Sequence, residues 1–282
     1  MQKTNQGREE INTYLENTKK GKNNWWRYAL TILSVIVGFI VGNRILTFIK
    51  PTLKSIFPDG NLGKELGTFI IIGTIFGIAL IAFIIAFKKF HQRPISSLIG
   101  IQKKFNFVLY IKGFVLWGIL FFLVNLITDY SIFVNFIVNF NLNNFILLII
   151  VGFVFIGIQS FFEELLIRGY IIQGFSLKIK SILILVISNG LIFSIMHFGY
   201  GLGSFLYSFI FGVFFAIIVL KQKQIEFVAG AHNANNLMLS LVFIDLGDAI
   251  NKEFSWSVNW ASLSLEILAL IILTVIVYRF IK

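Results

Sequence analysis

Eight stretches of this chain run for about twenty residues with scarcely a charged side chain, which is the length a helix needs to cross a bilayer. They lie near 28–49, 68–87, 106–127, 144–167, 181–198, 203–220, 225–244 and 261–279. Lipid offers backbone groups no hydrogen-bond partner, so only helices and closed barrels span it, and these runs are about twice the length of a barrel strand. The fold expected is an all-α polytopic membrane protein, a bundle of about eight transmembrane helices. Charge supports this: only 13% of residues are charged, against about 25% in soluble domains. Residues 1–27 form a polar tail with no apolar core, so not a signal peptide, and Trp25, Trp26 and Arg27 anchor the first span at the interface.

The net charge of +11 belongs to topology. With eight spans both ends fall on one side. The tail, 88–104, 168–180, 221–224 and the C-terminus hold 18 Lys and Arg, while 44–67, 128–143, 199–202 and 245–260 hold five. By the positive-inside rule both termini are expected in the cytoplasm, with the protein a multi-pass component of the cell membrane. The basic residues flank apolar spans and form no nucleic-acid-binding motif, so the partners expected are the lipid bilayer and a peptide or membrane-protein substrate, with no nucleic acid. Cysteine is absent, which excludes disulfides, thiolate metal sites and a cysteine nucleophile.

Three spans carry polar residues that lipid alone would not tolerate, and intramembrane ionisable groups point to function. The fourth contains Glu163 and Glu164 with Arg168. Glu164 and Arg168 are i,i+4, the favourable orientation for a helical ion pair, while Glu163 lies about 100° round the helix and is free to face elsewhere. The fifth places Asn189, Phe193 and His197 on one face, and the seventh places His232 and Asn236 on another. The third histidine, His91, lies in a basic loop and is expected to be solvated. No His-Glu-x-x-His or Gly-x-Ser-x-Gly pattern occurs.

Glu163-Glu164-x-x-x-Arg168, Phe193-x-x-x-His197 and His232-x-x-x-Asn236 resemble, in order, the three motifs of the CPBP family. This is the CAAX protease and bacteriocin-processing (Abi) group of intramembrane endopeptidases. The resemblance covers about 145–243 within a transmembrane region of 28–282. It implies a hydrolase that cleaves a membrane-associated peptide precursor or small membrane protein with a glutamate-activated water. Glu163 would be the base, His197 would orient the water, and His232 with Asn236 would stabilise the oxyanion. Glu164, Arg168 and Phe193 would support them. It leaves a cofactor open, since the family has been described both as metalloproteases and as glutamate-dependent proteases. Glu163, His197 and His232 are the candidate ligands for a divalent ion such as zinc. Two other readings remain: a non-proteolytic immunity or scaffold protein of the same fold, and a transporter. The sequence also poses a geometric problem. In straight helices His197 falls near the outer end, about 20 Å from Glu163 and His232 at 1.5 Å per residue.

Overall fold

The computed structural model describes residues 13–57, 60–102, 104–243 and 254–281. Its main helices are α1 (Trp25–Ile56), α2 (Asn61–His91), α3 (Phe107–Thr128), α4 (Leu142–Glu164), α5 (Ile182–Met196), α6 (Leu202–Gln222), α7 (Glu226–Met238) and α8 (Trp260–Phe280). Each of the eight stretches found in the sequence is a helix. α4 runs on without a break through a π-helical turn, Leu165–Ile171, into Ile172–Ser176.

Six helices are long and apolar enough to cross a bilayer: α1, α2, α3, α4 with its continuation, α6 and α8. The chain is thus a multi-pass membrane protein. α5 and α7 differ. With 15 and 13 residues they reach about 22 and 20 Å, short of a hydrocarbon core of about 30 Å. The expected spans 181–198 and 225–244 were too long for distinct reasons. α5 stops at Met196, and five residues on Gly201 takes φ 104°, a backbone that side chains with a Cβ avoid. α7 is rich in amides and passes at its end into a second π-helical turn, Leu239–Phe243. Residues 244–253 lie outside the described residues.

α1 packs on α2, α2 on α4, and α4 on α7; α7 packs along α3, α3 on α8, α8 on α6, and α6 on α5. α5 returns to the π turn of α4, so α4, α7, α3, α8, α6 and α5 close a circuit in which α7 is packed between α4 and α3. α7 is therefore buried along almost its whole length, from Glu226 to Asn235. Its close approach to α3 relies on two glycines. A Cβ on Gly113 would strike the carbonyl of Phe227, and one on Gly230 the carbonyl of Tyr110. Contacts of Asn106 with Glu226, Tyr110 with Gly230 and Trp117 with Asn235 show that the two helices run parallel.

The described part of the tail is not a free polar segment. Tyr14, Leu15, Asn17 and Thr18 are buried. Asn17 donates to the carbonyl of Ser97 at 3.0 Å, and the Tyr14 hydroxyl lies between the carbonyls of Leu98 (2.8 Å) and Arg168 (3.0 Å). A π turn leaves carbonyls without their usual partners, and Tyr14 serves one of them. The expectation of a solvated His91 is corrected by this packing. Its ring is 2% exposed, bonded through Nε2 to the Tyr170 hydroxyl (2.9 Å) and through Nδ1 to the Lys22 carbonyl (2.8 Å), because the tail covers the loop. Beside it Arg93 donates to Gln173 and Ser97. Burial pushes the Arg93 guanidinium down to about 10, which leaves it charged at neutral pH.

Gly230→Ala is expected to separate α7 from α3 and lower both the yield of folded protein and its melting temperature. Overpacking costs about 1–3 kcal/mol where side chains can yield, and here the obstacle is backbone. Gly67→Ala is the control, since a Cβ there meets nothing within 4 Å. Thermal melts of both variants in detergent check the difference.

Candidate active site

The polar residues of α4, α5 and α7 meet where α4 enters its π turn. Ionic residues hold the centre. The carboxylate of Glu164 accepts from Arg168 Nη1 at 2.8 Å, one turn on, and from His232 Nδ1 at 2.8 Å, across on α7. Both glutamates, the arginine and the histidine are buried. Glu164 thus joins two helices through one oxygen, and by accepting from Nδ1 it turns His232 so that Nε2 is the outward nitrogen.

That nitrogen faces Glu163. Its Oε2 lies 3.7 Å from His232 Nε2, too long for a direct hydrogen bond, while Gln159 Nε2 approaches its Oε1 at 3.4 Å. Glu163 Oε2, Glu164 Oε2, Arg168 Nε and Nη2, and Ser160 Oγ are all buried without a hydrogen-bond partner among the described residues. Buried polar atoms are nearly always paired with protein or ordered water, so this cluster is suited to holding water.

Phe193 links the rest. The Arg168 guanidinium lies 4.2 Å from its ring centre, a cation–π contact, and the His232 ring meets it edge-on with centroids 5.6 Å apart. On its other neighbour, His197 sits with ring centroids 4.5 Å apart and Nδ1 bonded to the Phe193 carbonyl at 2.8 Å. Asn189, one turn earlier, donates to the carbonyl of Ile167 at 2.9 Å, inside the π turn. The short α5 therefore brings Phe193 to the ionic cluster and leaves His197 one ring further out, half-buried. Among the described residues no hydrogen bond or ion pair joins His197 to Glu163 or His232.

The three candidate metal ligands, Glu163, His197 and His232, are not grouped at one point. Among the described residues no three His, Cys, Asp or Glu side chains are grouped to hold a metal ion. His197 turns Nδ1 into its own helix, and His232 gives Nδ1 to Glu164, which leaves Nε2 as the open nitrogen of each ring.

Asn236 is tied to its neighbour, with Asn235 Nδ2 donating to Asn236 Oδ1 at 3.1 Å. Asn235 Oδ1 in turn accepts from Trp117 Nε1 (3.1 Å) and the Tyr207 hydroxyl (2.6 Å). Sequence reasoning passed over Gln159, Asn235, Trp117 and Tyr207. Gln159 carried a signal, lying i,i+4 to Glu163, and Asn235 sat in an amide-rich run. Trp117 and Tyr207 lie in apolar helices with nothing to mark them.

Replacing Glu164 with Gln leaves Arg168 and His232 without their shared anion, and breaking a buried pair costs about 3–5 kcal/mol. Glu164→Gln is expected to lower the melting temperature sharply and Arg168→Gln to match it. The double variant should lose less than the two losses summed, because the groups are in contact. Thermal melts of the three variants check this.

Comparison with known proteins agrees with the motif positions. The family model described as type II CAAX prenyl endopeptidase Rce1-like matches residues 141–238, which include every residue of the cluster from Gln159 to Asn236. The chain is also similar to the uncharacterized protein YyaK of Bacillus subtilis (strain 168), with 26% identity across 79% of each chain. No solved structure matches it. Residues 141–238, which match the Rce1-like family model, hold the two glutamates, Arg168 and His232 in one buried cluster, with His197 half-buried beside it.

Proposed function

We propose that the protein is an intramembrane endopeptidase that hydrolyses a peptide bond in a membrane-associated peptide precursor or small membrane protein. The observation that carries this is the unequal state of the two glutamates. Glu164 is held by two charge-assisted hydrogen bonds, whereas Glu163 Oε2 accepts no hydrogen bond among the described residues and faces His232 Nε2 at 3.7 Å. A fixed carboxylate beside a free one divides the work between holding and proton transfer.

A water seated beside Glu163 Oε2 and His232 Nε2 gives a proton to Glu163 as its oxygen attacks the peptide carbonyl. The oxygen of that carbonyl becomes an oxyanion, to which Asn236 donates through its carboxamide N–H. The proton then passes from Glu163 to the leaving nitrogen as the C–N bond breaks. Phe193 holds Arg168 and His232 in register, and His197, fixed through Nδ1, offers Nε2 to the water or the substrate backbone. Since the Rce1-like family is described by prenyl endopeptidase activity, a prenylated peptide is one substrate class to offer beside unmodified ones.

Glu163→Gln removes the base with almost no change of shape. It is expected to keep a melting temperature near wild type and to reduce cleavage about 10²–10⁴-fold, the usual worth of general-base catalysis. Cleavage of a peptide library by purified protein in detergent checks it, and a fully active Glu163→Gln would refute the mechanism. We propose also that both termini lie in the cytoplasm of a cell membrane. The chain has no cysteine, so Lys178→Cys and Asn139→Cys, both at exposed positions, should react with an impermeant thiol reagent from opposite sides.

A further inference from the structure

We infer that Asn235, held by Trp117 and Tyr207, is a positioning residue that decides which end of the Asn236 carboxamide is presented to the substrate. The inference deepens the peptidase reading and rests on it. An amide has a donor end and an acceptor end, and only the donor end stabilises an oxyanion. A chain of bonds fixes that choice here. The indole N–H of Trp117 can only donate, so the Asn235 atom facing it, 3.1 Å away, must be the carbonyl oxygen. The Tyr207 hydroxyl meets the same oxygen at 2.6 Å. Asn235 therefore directs its Nδ2 the other way, and that nitrogen lies 3.1 Å from Asn236. An N–H needs an acceptor, so the contacting atom of Asn236 is Oδ1.

What remains of Asn236 is its Nδ2, on the face of α7 shared with His232 four residues earlier. Its two N–H groups take no protein acceptor among the described residues. The anchor is firm: Trp117 is fully buried and Asn235 nearly so, while Tyr207 comes from α6 and Trp117 from α3. Three helices thus converge on one amide. Without this relay Asn236 would present its oxygen or its nitrogen with equal ease, and an oxygen would repel the developing negative charge.

The test is a double-mutant cycle on kcat and KM with the purified full-length protein and a peptide it cleaves. Asn236→Ala is expected to lower kcat about 10²–10³-fold, as the loss of one oxyanion donor does. Asn235→Leu, of similar size but without a donor, should lower kcat at least tenfold with KM within about twofold of wild type. Once Asn236 is Ala, Asn235→Leu should change kcat less than about twofold, because the relay has nothing left to orient. Trp117→Phe is the second probe and should act on kcat in the same background-dependent way. Equal loss in both backgrounds, or unchanged kcat in Asn235→Leu and Trp117→Phe, overturns the relay while wild-type cleavage upholds the peptidase. A folded wild type that cleaves nothing in the library overturns the peptidase reading and the relay with it.

Discussion

One carboxylate oxygen, Glu164 Oε1, carries two hydrogen bonds of 2.8 Å, to Arg168 on its own helix and to His232 on α7. In water such bonds are worth little, because each partner gives up hydration to form them. At a buried site they are strong but give no net stability by default, since desolvating the charges offsets much of the attraction. What they confer is definition. Arg168, anchored by Glu164, is also placed over Phe193, and His232 is turned edge-on to the same ring. The mutual placement of α4, α5 and α7 thus follows from groups that have nowhere else to find partners.

The π turn contributes in a second way. It begins one residue after Glu164 and widens the helix where Arg168 must fold back. Its carbonyls are then met by groups from far along the chain: Asn189 on Ile167 and Tyr14 on Arg168. Helical irregularity at depth is tolerated where protein covers it. Here the cover comes from α5 on one side and the N-terminal segment on the other.

The eight helices were legible because a long apolar run has no other stable state in lipid. Glu164 with Arg168 was legible because i,i+4 spacing closes an ion pair within one helix. His91 was misjudged for a physical reason: a loop rich in lysine reads as solvated, and nothing local announces that Asn17 and Tyr14 fold over it. The shortness of α7 was also hidden, since Leu, Val, Phe and Ile continue past Met238. The depth conflict between His197 and Glu163 eased once α5 was short, but Phe193 took the place at the cluster and His197 stayed beyond it. Trp117 and Tyr207 were silent because an aromatic residue in an apolar helix is ordinarily packing.

α7 has a consequence for how the protein is made. Its thirteen residues include His232, Asn233, Asn235 and Asn236, and such a segment would not partition from a translocation channel into lipid unaided. It must wait for, or enter with, a neighbour that already offers partners. α3 is synthesised about a hundred residues earlier and presents the groove at Gly113 together with Tyr110 and Trp117, which bond Asn233 and Asn235. The order of the chain thus places the groove that receives α7 ahead of α7 itself, and the polar cluster of α4, α5 and α7 is complete only once α7 has packed.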